Sequence, residues 1–163
     1  MRHFLLVVVQ GCLMLAVSTA SAADRCALLS KSDTAALLGQ PVAAVVPAGP
    51  QRDEDSSGQL TYCTYRGASL ALVLSVVEFN AEAEARKQLS VNLVRDRMDA
   101  ADAKVTEEPG LGDKAFFGTS ANGVMYTFLK KNKVVGIALG GAKASAASKV
   151  PLRAAALSIA AKL

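Results

Sequence analysis

Few residues in this chain could do chemistry. The single histidine, His3, stands inside an N-terminal stretch that reads as removable, so the exported remainder has no imidazole. That closes off the commonest general base and a frequent metal ligand. The later cysteines, Cys26 and Cys63, form no Cys-x-x-Cys motif and have no histidine to activate a thiolate. No Ser-x-x-Lys occurs to pair a serine nucleophile with a lysine base. Asp53-Glu54-Asp55 lacks the spacing and the glycine of an EF-hand loop and reads as a solvated loop. Gly110-Leu111-Gly112 lacks the spacing of a dinucleotide fingerprint, and its glycines read as turn residues, with Asp113 accepting from the turn's amides. A pair of carboxylates of the glycosidase kind is conceivable, but no spacing marks one. The expectation is a protein that is not an enzyme and takes no metal and no cofactor.

The segment that holds His3 is the strongest signal. Arg2 and His3 give a positive start, Phe4 to Val17 is apolar, and Ser18 to Ala23 supplies small residues in an Ala-x-Ala pattern. Residues 1–23 therefore read as a signal peptide and 24–163 as one exported domain, with cleavage after Ala22 or after Ala23 equally allowed. The apolar run is shorter than the roughly 20 residues a spanning helix needs, so no transmembrane anchor is expected. Val9-Gln10-Gly11-Cys12 is a poor lipoprotein cleavage site, because Gln10 fits badly and the apolar run continues past Cys12. The expected location is periplasmic or secreted. There Cys26 and Cys63 read as one disulfide that pins the start of the domain to its sheet, the alternative being two buried free thiols.

The elements that must position these residues follow from pattern. Cys26 to Leu29 reads as a helical turn, and Ser32 as the cap of a helix over Asp33–Leu38 that Gly39 ends. Val42 to Val46 reads as a strand stopped by Pro47 and Pro50, with an exposed loop over residues 51–58. Leu60–Arg66 and Ser69–Phe79 read as a hairpin whose second strand is apolar on both faces, as a central strand should be. Asn80 reads as the cap of one long helix from Ala81 to about Met98. Val105 begins a short strand and Ala115 to Phe117 resumes extended structure. Val124–Leu129 and Val134–Leu139 read as a hairpin turning at Lys130-Lys131-Asn132-Lys133, with Asn suited to the turn. Pro151 sits in the first turn of a final amphipathic helix. The expected fold class is α+β: a mainly antiparallel sheet with two long helices packed against it, built as two halves of about three strands and one helix each.

Cys26-Ala27-Leu28-Leu29, Ala35 to Val42, Cys63-Thr64-Tyr65, Gly110 to Phe116 and the closing Ala/Leu helix resemble small exported bacterial proteins of a domain-of-unknown-function family, including many actinobacterial lipoproteins. The resemblance implies a cysteine pair, an α+β sandwich akin to the PsbP-like fold and work outside the cytoplasm. It implies no activity. The chain departs from the lipoprotein members in lacking a convincing lipidation cysteine.

Charge is polarised along the chain. All 14 acidic residues lie at or before Asp113, whereas Lys114 to Leu163 carries only basic ones. Lys130, Lys131 and Lys133 are candidate contacts for an anionic surface or partner, the alternative being a solvated hairpin tip. Nucleic acid is not expected as a partner, since export removes it and no aromatic residues interleave with the basic ones. The expected function is a non-enzymatic extracytoplasmic binding module for an envelope protein or small ligand. The alternative is an inhibitor or immunity protein acting on a secreted enzyme. An apolar pocket would favour the module, and a protruding charged loop the inhibitor. Non-reducing digestion of the exported protein followed by mass spectrometry should find the Cys26 and Cys63 peptides linked; two free thiols would refute the disulfide.

Overall fold

Seven antiparallel strands form one sheet in the order β1-β2-β3-β7-β6-β5-β4. They are β1 (Ala44–Arg52), β2 (Gln59–Arg66), β3 (Ala71–Glu78), β4 (Lys104–Glu107), β5 (Lys114–Ser120), β6 (Gly123–Lys130) and β7 (Lys133–Gly140). The computed structural model describes residues 21–163 except 55, 142, 143, 146 and 147. The first 20 residues of the expected signal peptide thus lie outside the described residues. Five helices accompany the sheet: α1 (Ala22–Cys26), α2 (Lys31–Leu38), α3 (Glu82–Gln88), α4 (Val91–Met98) and α5 (Lys149–Lys162). Two meanders, β1-β2-β3 and β4-β5-β6-β7, meet where β3 pairs with β7, from Ala71 opposite Gly140 to Glu78 opposite Lys133. The second half has four strands rather than the expected three.

Strand alternation sorts the core into two clusters, one on each face. Leu72, Leu74 and Val76 of β3 join Tyr126, Phe128, Ile137, Leu152 and Ile159 on the first face, under α1, α2 and α5. Val77 joins Phe116, Met125, Leu129 and Val134 on the second face, under Ala85 of α3, Leu89, and Leu93 and Val94 of α4. Both faces of β3 are thereby used, as its sequence requires.

Four expectations are corrected. The long helix over 81–98 is two helices, because Leu89 and Ser90 take extended backbone between them. There Leu89 is buried in the second cluster, while the Ser90 hydroxyl accepts the Leu93 N–H at 3.2 Å and starts α4 afresh. Asn80 is not a cap either, since α3 begins after Ala81 without a side-chain bond. Two long helices are thus replaced by one of 14 residues and four short ones. The first strand does not stop at Pro47: β1 continues to Arg52, with Pro47 opposite Cys63 and an irregularity between Ala48 and Gln51 that absorbs Gly49 and Pro50. An edge strand needs ladder bonds on one side only, so proline is tolerated there. At α2 the cap is Ser30, whose hydroxyl accepts from the Asp33 N–H at 3.0 Å, rather than Ser32.

The start of the domain is held to β2 twice over. Cys26 and Cys63 are joined by a disulfide, with their Cα atoms 5.5 Å apart. The Tyr65 hydroxyl lies 2.7 Å from the Cys26 carbonyl oxygen and 3.1 Å from that of Leu29, and its one proton is shared between them. Burial pushes the Tyr65 pKa up to about 12 from 10.0. A phenol whose pKa is higher in the folded than in the unfolded state contributes stability below pH 10 that is lost as pH rises toward 12. Phenolate absorbance and urea unfolding followed over that range should show late ionisation together with falling stability. Tyr65→Phe should be less stable at neutral pH by about 1 kcal/mol, for the lost hydrogen bond, and should show a shallower alkaline decline. An unchanged alkaline profile would refute this account of Tyr65.

Candidate functional site

The two faces of the sheet are not equally covered. On the second face α3 lies over β7, and α4 over β4, β5 and β6. Away from Val77, which packs with Ala85 of α3, the cover of this face has a gap at β2 and β3, where Tyr62, Val73 and Ser75 remain half-buried. A cleft of about 520 Å³ occupies this gap. Leu60, Val73, Met125 and Ala138 give it an apolar lining, Tyr62 and Ser75 add hydroxyls, and Gln51, Asp53, Glu54 and Arg97 bring polar groups.

The floor is deep because the residues opposite one another there are small. Ser75 stands opposite Gly136 in the β3–β7 register, and Gly136 opposite Thr127 in the β6–β7 register. A Cβ added at Gly136 would come within 2.6 Å of Ser75 Oγ, and the only other atom within 4 Å is Ser75 Cβ, at 4.0 Å. One strand away on the same face, Thr127 is fully buried and its hydroxyl has no hydrogen-bond partner. The absence of side chains above Gly136, not the presence of large ones around it, opens the cleft.

Arg97 and Asp53 bring its sides together. Arg97 projects from the last turn of α4, and its Nη2 stands 3.7 Å from Asp53 Oδ2, beyond hydrogen-bond length. Asp53 is buried, accepts from Ser56 Oγ at 2.6 Å, and donates its own N–H to the Gly58 carbonyl. The expected solvated acidic loop thus folds back through Asp53 toward the sheet. Beyond Arg97 lies a smaller cavity of about 190 Å³, which shares Val73, Arg97, Met125 and Ala138 with the cleft. The two cavities adjoin, with Arg97 lining both.

The residues singled out by sequence lie elsewhere. Gly110 and Gly112 have φ of 76° and 61°, and the Asp113 carboxylate accepts the Lys131 N–H at 3.0 Å. Lys131, not Asn132, takes the positive φ of the β6–β7 turn, at 54°, while the Asn132 amide donates to the Phe79 carbonyl at 2.6 Å. Lys131 Nζ donates to the Leu163 carbonyl at 2.7 Å, and Lys133 Nζ lies 3.1 Å from Glu78 Oε1. Glu78 is also paired with Arg25. The structure therefore does not gather three free ammonium groups at the hairpin tip, and none of these lysines lines the cleft. Sequence reading missed the cleft residues themselves. Their one sequence signal is the run of small residues Ser75, Gly136 and Ala138 inside strands otherwise built of Val, Ile and Leu.

No family model matches the chain, and no curated protein matches it. Among solved structures it is similar to the extracellular domain of PknH from Mycobacterium tuberculosis, at 12% identity and a TM-score of 0.51, over 88% of this chain and 98% of that one. At that identity the likeness is one of fold.

Proposed function

We propose that this chain is an exported, non-enzymatic binding module that holds a small ligand in the cleft over β2, β3 and β7. One observation carries the reading: a sheet face apolar enough to need cover is left open above Gly136, with a few polar groups converging on its rim. Ligand sites of this size are typically concave and mainly apolar, with a small number of placed polar groups that set orientation. The fold likeness to an extracellular domain supports a place of work outside the cytoplasm. Among the described residues no helix is long and apolar enough to cross a membrane.

The test uses N-phenylnaphthylamine, an uncharged apolar dye that brightens in apolar surroundings. The oxidised protein should bind it, and Gly136→Val or Ser75→Leu should weaken binding. Filling the floor removes about two methylenes' worth of burial, ~1.6 kcal/mol at ~0.8 kcal/mol each, so affinity should fall about tenfold. Ser75→Leu stands in if the closer contact at Gly136 prevents folding. Dye binding that is absent, or that persists unchanged in a folded variant, would overturn the reading.

A further inference from the structure

The charges around the cleft restrict what it can hold. Two carboxylates, Asp53 and Glu54, face one guanidinium, Arg97, so the lining carries net negative charge. Asp53 is the more telling of the two. An ionised carboxylate offers about four acceptor positions. Among the described residues the Asp53 carboxylate accepts a hydrogen bond from the Ser56 hydroxyl, and its ion-pair partner Arg97 stands 3.7 Å away, beyond hydrogen-bond length. A buried carboxylate is stabilised by each further donor or cation that reaches it, and one entering the cavity adds to the pairing that Arg97 begins. Glu54 is exposed at the rim, where it adds attraction without closing the entrance. Tyr62 lines the same cavity and is half-buried, so an aromatic side chain is among the groups a bound molecule meets. An aromatic face attracts a cation through the ring quadrupole.

We propose that the cleft takes an organic cation, an amine or quaternary ammonium carried on an apolar body. This rests on the cleft being a ligand site, and it names the ligand's chemistry. The apolar body lies on Leu60, Val73, Met125 and Ala138, above the space that Gly136 leaves open, and an extended body reaches under Arg97 into the smaller cavity. The charged head lies toward Asp53, Glu54 and Tyr62. Arg97, held near Asp53, keeps the head from being drawn past the rim and disfavours a body that carries a second positive charge.

Three amphiphiles with the same chain separate charge from apolarity: decyltrimethylammonium, decanol and decanoate, each kept below its micelle concentration. Binding to the oxidised protein is followed by calorimetry and by displacement of N-phenylnaphthylamine. Decyltrimethylammonium should bind about tenfold more tightly than decanol, and decanoate more weakly than both. Asp53→Asn should remove most of that preference. Tyr62→Leu should reduce decyltrimethylammonium affinity about threefold. If Asp53→Asn does not fold, Glu54→Gln at the exposed rim should lower the cation preference in the same direction. Equal or tighter binding of decanoate, or a cation preference that survives every folded variant, would overturn the proposal while the cleft stands as an apolar site. Failure of all three amphiphiles and of the dye to bind would overturn the cleft reading itself.

Discussion

The pairing of β3 with β7 is the contact on which the rest of the molecule depends. Among the described residues it is the only ladder that joins the two meanders, and it runs the full length of both strands, from Ala71 opposite Gly140 to Glu78 opposite Lys133. Its closure brings together strands more than fifty residues apart in sequence, at a loop-closure cost that grows only slowly with length. Repayment comes from both sides, since Leu74 and Ile137 pack into the first cluster and Val77 and Val134 into the second. At the middle of the same ladder Ser75 meets Gly136, and there the return is smallest. The weakest packing in the central ladder and the floor of the cleft are therefore the same place.

This unevenness follows from how the two faces are roofed. The first face is filled by large side chains, with Tyr65, Tyr126 and Phe128 almost inaccessible and α5 laid over β6. The rings of Phe117 and Tyr126 lie 4.7 Å apart between centroids, and Lys149 sits over the Phe117 ring. The second face has only the two short helices that Ser90 separates. A single helix through 81–98 would run straight on from Leu89; the break lets α4 turn across β4, β5 and β6 and bring Arg97 to the cleft edge. Geometry at one serine thus decides where the roof ends.

Much of the framework was legible in local pattern. The β2–β3 and β6–β7 hairpins, the Gly110–Asp113 turn and the cysteine pair each depend on residues that act over short spacing or on export chemistry. What escaped depends on context that the local pattern does not carry. Pro47 and Pro50 look like stops, but β1 lies at an edge, where a missing N–H costs little. Ser90 interrupts a pattern that is otherwise helical, and only burial of Leu89 makes the interruption favourable. Lys133 reads as free charge until the pairing of β3 with β7 sets it beside Glu78. The cleft was the least legible feature, because it is made of what does not cover a face. Asp53 was read as part of a solvated loop, since nothing nearby in sequence shows that Arg97, forty-four positions later, reaches toward it.

The double hold on α1 has a consequence for orientation. The disulfide and the Tyr65 hydroxyl both act on the first face of the sheet, where Cys63 and Tyr65 belong to the same cluster as α5. The chain therefore enters the domain on one side of the sheet, and the cleft opens on the other. The clamp and the cleft are thus separated by the thickness of the sheet itself. Cys63 and Tyr62 are neighbours on β2, so one strand carries the clamp on one face and a wall of the cleft on the other.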